Sequence, residues 1–380
     1  MKFWHAGALL LMALSGCSTI SGWFSSDKTG KEPAKLAEFK ESAKFELRWH
    51  RALGDGGNNV LQPAVMRDAI YAANAKGELF RIERSSGKQV WRVDSGFPVA
   101  GGVGAGEGLL LVGSLKGDLA AFEEDGKLRW KTKVSSEVLS APQVINGMVV
   151  VRTGDGRIAG LSVVDGSRQW LYERATPALI VRSHAGVAVE GGTVYAGFAG
   201  GKLAAISSAN GVAAWEATVS QPRGNTELER ISDITSLPVA DREQVCAVSF
   251  QGRVACFSVA QGNLVWSRDL SSDKGLSIEG KYLYVTDANG GLSALDKTSG
   301  SSLWKSDQLL MRQTSAPVVW GNHVIAGDYE GYLHALNRED GSMAARIKTD
   351  GSRIVAAPVR LDDGLLVQTR EGGLYSFAIR

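Results

Sequence analysis

One unit recurs eight times between residues 77 and 380: a glycine, a short alternating apolar stretch, a second glycine, then a tryptophan. The first copy is Gly77-Glu-Leu-Phe-Arg-Ile-Glu-Arg-Ser-Ser-Gly87-Lys-Gln-Val-Trp91. Copies follow at Gly117–Gly126–Trp130, Gly156–Gly166–Trp170, Gly201–Gly211–Trp215, Gly252–Gly262–Trp266 and Gly290–Gly300–Trp304. A seventh, Gly331–Gly341, has Ala345 in place of Trp, and an eighth begins at Gly372 and runs to Arg380. A repeat of about 40 residues that cannot bury its apolar face alone must stack against its neighbours, which restricts the chain to a solenoid, an array or a closed ring.

Each unit predicts strands. The first glycine closes a hairpin where φ is positive, and the alternating residues after it give a strand with one buried face. The second glycine sits in the next turn, and the Trp lies on the strand beyond. Apolar runs such as Met148–Val151 and Tyr282–Val285 supply a strand before the first glycine, and a further one starts near Ala141-Pro142, Ala316-Pro317 and Ala357-Pro358. Four short strands per repeat read as a propeller blade, and the 46 glycines against 9 prolines agree with many tight turns. The eighth copy lacks its Trp-bearing strand, and Phe45-Glu-Leu-Arg-Trp49 can supply it. The expectation is an all-β, eight-bladed β-propeller of four-stranded blades over residues 45–380, its last blade closed by the N-terminal strand and leaving no free sheet edge; seven blades is the alternative. Trp49, Trp91, Trp130, Trp170, Trp215, Trp266 and Trp304 are read as structural wedges.

Ahead of the repeat, Lys2 precedes an apolar run over Ala6–Ser15, too short to span a bilayer of about 30 Å and suited to a cleaved export signal. Leu14-Ser15-Gly16-Cys17 resembles the bacterial lipobox. That resemblance implies a signal peptide over 1–16 and lipidation, palmitate included, at Cys17, with Ser18 directing the chain to the periplasmic side of the outer membrane. Residues 17–44, rich in Ser, Lys, Glu, Gly and Ala, read as a lipidated flexible tether with room for a short helix over Ala34–Lys44. A formal charge of +2 without a Lys/Arg cluster argues against nucleic acid as a partner.

The repeat stretches in two adjacent places. Trp91 to Gly117 and Trp130 to Gly156 span 26 residues each, Trp266 to Gly290 spans 24 and Trp304 to Gly331 spans 27, whereas Trp170 to Gly201 spans 31 and Trp215 to Gly252 spans 37. Both insertions include a connector from one blade's outer strand to the next blade's inner strand, so both fall on one rim. The first, Glu173–His184, places Leu179, Ile180 and Val181 beside Arg182; the second, Gln221–Asp233, is densely charged. Apolar anchors rimmed by charge suit a protein interface, the alternative being that Leu179–Val181 begins a buried inner strand.

Signs of catalysis are scarce. The Gly101–Gly108 stretch misses the dinucleotide spacing and precedes a strand instead of a helix. No P-loop or G-x-S-x-G elbow occurs, and His5, His50, His184, His323 and His334 are scattered without metal-ligand spacing. No cofactor or metal is expected. Cys246 and Cys256 flank the turn at Gln251-Gly252. A turn centred there pairs them one residue out of step, which favours two buried free thiols over a cross-strand bridge.

The ending Asp296-Lys-Thr-Ser-Gly300-Ser-Ser-Leu-Trp304 is similar to the PQQ-type propeller repeat, a likeness covering nearly all of 45–380 and specific for architecture. Together with the lipobox, the length and the blade count, the chain resembles the BamB family of outer-membrane assembly lipoproteins. The resemblance implies a non-enzymatic scaffold of the β-barrel assembly (BAM) complex that binds the periplasmic POTRA domains of BamA and other subunits, with unfolded outer-membrane proteins as further ligands. That family's BamA-binding surface carries Leu-x-Leu-Arg and Ser-Asp-x-Asp stretches. Leu179-Ile-Val181-Arg182 matches the first with Val for the second Leu, and Ser232-Asp233-Ile-Thr235 matches the second without its last Asp. Leu179, Val181, Arg182 and Asp233 are therefore the expected partner-binding residues. Alternatives are a PQQ-dependent dehydrogenase-like enzyme, disfavoured by the lack of a Cys-Cys pair, and a propeller for another periplasmic ligand.

Overall fold

Seven of the eight repeat hairpins close through a five-residue loop centred one residue ahead of the first glycine, as in Ala73↔Leu79 and Gly113↔Leu119; in the fourth the ladder runs on to Phe198↔Lys202 and leaves three residues in the turn. Seven of the eight first glycines have positive φ; at Gly252 the preceding Gln251 takes the left-handed conformation instead (φ 50°). In this computed structural model, which describes residues 32–380, thirty-two strands form eight four-stranded antiparallel sheets. β1 is Phe45–Ala52; blades 1 to 7 are β2–β5 (64–94), β6–β9 (104–133), β10–β13 (143–172), β14–β17 (187–218), β18–β21 (239–269), β22–β25 (275–306) and β26–β29 (318–348). Blade 8 has the order β1-β32-β31-β30, with β30–β32 covering 359–379. β1 pairs antiparallel with β32 from Phe45↔Ile379 to Ala52↔Gly373, so the N-terminal strand closes the ring as expected. No α-helix occurs among the described residues; a single 3₁₀ turn lies at Ala199–Gly201.

The apolar core is distributed radially. Eight buried clusters each join two consecutive blades, among them Val150, Ile158, Val194 and Phe198 between blades 3 and 4, and Ile70, Ile82, Leu366 and Leu374 between blades 8 and 1. The repeat tryptophans are the wedges at these seams. Trp170 is 7% exposed, its indole N–H donates to the Ser208 carbonyl of the next blade at 2.9 Å, and a Cβ added to Gly211 would lie 2.6 Å from its ring. Gly211 has φ 73°, so that position requires glycine twice, for conformation and for closeness. Trp49, Trp91, Trp130, Trp215, Trp266 and Trp304 donate likewise into the following blade, at Arg84, Glu124, Val163, Val259, Lys297 and Arg338.

The seam between blades 7 and 8 has no Trp on its outer strand; Trp320 of β26 donates across it to the Leu361 carbonyl at 3.1 Å, and the incoming chain fills the place left at 345. Ala43 and Phe45 are buried in one cluster with Ala344 and Ala345. The Ser42 and Ala43 amides donate to the Ala344 carbonyl at 3.0 and 3.2 Å. An indole at 345 would occupy the path of this segment. Residues 33–44, expected to be tether with a short helix, are instead extended and docked on blade 7. The Ala34 amide donates to the Leu310 carbonyl at 2.8 Å, Arg346 donates to Ala37 at 3.0 Å, and the Arg346 guanidinium stacks 5.0 Å from the Phe39 ring. The export signal, Cys17 and the stretch to Lys31 lie outside the described residues.

Cys246 on β19 (Gln244–Val248) stands directly opposite Cys256 on β20 (Arg253–Ser258), with Cα atoms 4.1 Å apart and a disulfide between them. This corrects the expectation of free thiols. The turn is centred on Gln251 and not between Gln251 and Gly252, which moves the register by the one residue that separated the two outcomes.

Candidate protein-binding rim

The connectors leaving the outer strands all emerge on one face. Two are oversized: 173–186 between blades 3 and 4, and 219–238 between blades 4 and 5. Residues 173–186 are irregular, and strand structure resumes only at Val187, so Leu179–Val181 does not begin the inner strand. Leu179 is 40% and Ile180 36% exposed, two apolar side chains turned to solvent, while Val181 is half-buried.

Arg182 is exposed yet held. Its Nε and Nη2 donate to the two carboxylate oxygens of Glu137 at 2.8 and 2.7 Å. Glu137 belongs to the connector 134–142 between blades 2 and 3, and the guanidinium keeps its carboxyl below the usual carboxylate range. A bidentate fork fixes the orientation of Arg182 at little energetic gain in so wet a setting. Beside it His184 meets the Leu139 carbonyl at 3.2 Å, and burial pushes its imidazole below its ordinary value.

Asp233 has another role than the one expected from sequence. It is 4% exposed and cannot reach a partner as the rim stands. Its two oxygens accept the Val181 amide at 2.7 Å and the Gly200 amide at 2.9 Å. Its own carbonyl accepts the Phe250 amide at 2.8 Å, and the Ile234 amide donates to Phe198 at 3.1 Å. Asp233 therefore staples the first long connector to the second and to blade 4, positioning Leu179 and Ile180 from below.

The second connector presents Arg223, Glu227, Arg230 and the apolar Leu228, the last 68% exposed. Within it the Glu229 carboxylate accepts the Asn225 and Thr226 amides at 2.7 and 3.1 Å, and the Thr226 hydroxyl accepts the Glu229 amide at 3.2 Å. This reciprocal box gives a loop without strands a defined shape. Ser232 and Thr235 are buried. The rim continues inward to the axial funnel, whose mouth includes Gln62, His184, Leu237, Arg353 and Arg370.

The structure thus brings Leu179, Val181, Arg182 and Asp233 together, three of them at or near the surface and one beneath it. Sequence reasoning missed Glu137, Ile180 as an exposed anchor and Leu228. Glu137 lies on a connector of ordinary length 45 residues from Arg182, and nothing in the repeat spacing marks it. Among the described residues no group of three or more His, Cys, Asp or Glu is placed to hold a metal. No helix among them is long and apolar enough to cross a membrane.

The family model described as outer membrane protein assembly factor BamB matches residues 75–306 and 288–380. The assembly factor BamB of Nitrosomonas eutropha is 41% identical over 98% of this chain and 93% of its own length. That of Pseudomonas aeruginosa is 39% identical over the full length of both. The crystal structure of BamB from Moraxella catarrhalis superposes with a TM-score of 0.81 at 25% identity, covering 88% of this chain and 99% of that one. A quinohemoprotein alcohol dehydrogenase from Comamonas testosteroni, at 14% identity and a TM-score of 0.71 over 88% of this chain and 76% of that one, is alike in fold alone.

Proposed function

This chain belongs to the BamB family of outer membrane protein assembly factors, and from that premise we propose that its rim docks the periplasmic POTRA domains of BamA. Its role is assembly of outer-membrane proteins as a non-enzymatic member of a protein complex at that membrane. The observation that supports the docking reading best is the meeting of the two oversized connectors. Leu179 and Ile180 stand exposed on a loop stapled in place by Asp233, beside an Arg182 already oriented by Glu137. Preformed apolar anchors with an ordered charge next to them lose little entropy on association. Lipidation at Cys17 supplies the membrane attachment in this reading, and the remaining subunits of the complex and unfolded barrel proteins are its further partners.

The test is a titration of purified BamA POTRA domains against the propeller. Leu179→Ala with Val181→Ala, and separately Arg182→Glu, are expected to weaken binding by roughly tenfold or more, the 1.4 kcal/mol scale of a modest interface contact. Arg182→Glu sets two carboxylates side by side, so Arg182→Met serves as its companion. Thermal unfolding should be unchanged, since none of these residues lies in a blade seam. Wild-type affinity in all variants would remove this rim from the binding surface. Cys17→Ala is expected to release the chain from the membrane fraction and abolish palmitate labelling.

A further inference from the structure

Beneath the Leu179–Arg182 loop lies a cavity of ≈ 40 Å³ bounded by Arg152, Thr176, Ile180, Val181, Phe198 and Asp233, among others. Arg152 ends β11 (Met148–Arg152), and its side chain is half-buried, with Nη1 out of contact with solvent and unpartnered. Its contact of note is the face of Phe198, 5.4 Å from the guanidinium carbon. No hydrogen bond or ion pair reaches this guanidinium among the described residues.

The carboxylates nearby are all engaged. Glu137 is forked by Arg182, Asp155 is held by Arg157 at 3.0 Å and by the Thr153 hydroxyl, and Asp233 carries the Val181 and Gly200 amides. A half-buried cation without a counter-charge, one of its nitrogens cut off from solvent, is costly to the free protein, and a cation–π contact offsets only part of that cost. Burial pulls the group down to about 10, which still leaves it charged at neutral pH. The space is also of a telling size. One water needs roughly 10–15 Å³, so ≈ 40 Å³ suits a group of about three atoms with polar partners.

We propose that this cavity receives one carboxylate side chain, Asp or Glu, from the protein that docks on the rim, with Arg152 as its counter-charge. The inference rests on the docking reading above and adds to it the chemistry of the contact. The docking partner presents an acidic residue that passes beside Ile180 and forms a desolvated, charge-assisted pair. The free propeller carries an unpaired charge that only the complex compensates, so the site is kept at a cost to stability.

The experiment compares Arg152→Met, Arg152→Lys and Leu179→Ala with the wild-type chain, against the same POTRA domains, recording affinity and thermal midpoint for each. Arg152→Met is expected to lose roughly thirtyfold or more in affinity while its midpoint stays level or rises, and Arg152→Lys to recover part of the loss. A second arm replaces each exposed Asp or Glu of the partner domains by its amide. One such change should weaken binding to the wild-type chain and have no further effect on Arg152→Met, a coupling that survives any change in the fold's stability. Wild-type affinity in Arg152→Met with loss in Leu179→Ala would overturn the cavity's role and leave the docking surface standing. Unchanged affinity in every variant would remove both. A fall in midpoint for Arg152→Met, with no coupled acidic residue on the partner, would make Arg152 a structural residue and refute the inference.

Discussion

Asp233→Asn separates positioning from contact at the rim. The carboxylate is buried and accepts two backbone amides, at 2.7 Å from Val181 and 2.9 Å from Gly200. The amide side chain keeps one acceptor and turns an NH₂ towards the other N–H. Hydrogen bonds to a charged group are worth about 1.5–3 kcal/mol each, and a stranded buried donor costs about 1–3 kcal/mol. These overlap, so a local loss of about 2–4 kcal/mol follows. The blades are untouched, because the Ile234–Phe198 and Phe250–Asp233 backbone bonds remain and no seam residue changes. The loss should appear as loosening of 175–184 alone. At a factor of ten per 1.4 kcal/mol, exchange of the Val181 amide is expected to quicken roughly 30- to 700-fold while seam amides keep their protection. Hydrogen exchange read residue by residue measures this, with POTRA affinity measured in parallel. Leu179→Ala should lower affinity without altering exchange, and Asp233→Asn should do both. Unchanged exchange at Val181, or full affinity despite a loosened loop, would refute the reasoning.

Other consequences of the structure are as direct. Trp170→Ala removes a seam wedge and leaves the Ser208 carbonyl without its donor, for an expected loss of about 3–5 kcal/mol in urea unfolding. The Cys246–Cys256 bridge closes a short loop, so reducing it is expected to lower the free energy of unfolding by roughly 2–3 kcal/mol. Alkylation of the denatured, unreduced protein should find neither thiol. His334 is fully buried against Asp328, and burial holds its imidazole below its ordinary value of 6.5. The unfolded chain then takes up a proton that the folded chain refuses, so stability is full above about pH 6.5 and is lost as pH falls, by at most about 1.4 kcal/mol per pH unit. The fall in urea midpoint from pH 7.5 to 5.5 is expected to be smaller in His334→Gln than in the wild-type chain, and an equal fall would dismiss His334 as its source.

The ring could be read from sequence because its parts are local. A glycine that must take positive φ, another that must lie under an indole, and the Trp itself sit within one repeat, and each copy states the same constraint. The ring closure was legible because an unfinished last unit and a stray Trp49 complete each other. What escaped is what depends on a single residue of register or on distant chain. The Cys246–Cys256 pairing turned on whether the hairpin centres on Gln251 or one half-step beyond, and Gly252 is the one first glycine without positive φ. The absence of a Trp at 345 was visible, but its reason, the passage of residues 42–45 over that seam, required coordinates. At the rim the two long connectors were marked by their length, and the exposure of Leu179 and Arg182 followed. Asp233 reads as a contact because a carboxylate on a charged loop looks the same in sequence whether it faces solvent or two buried amides.

The docked segment ahead of β1 has a mechanical consequence. Its first contact, Ala34 with Leu310, lies on the connector rim, and it descends the wall of blade 7 to enter β1 from the opposite face. Tension arriving from the N-terminal side must first peel Phe39 from Arg346 and break the bonds at Ala34, Ala37 and Ser42. Only then does load reach the ladder that shuts the ring. The strap works as a cable clamp does, letting the chain be tugged from outside without unzipping the disc.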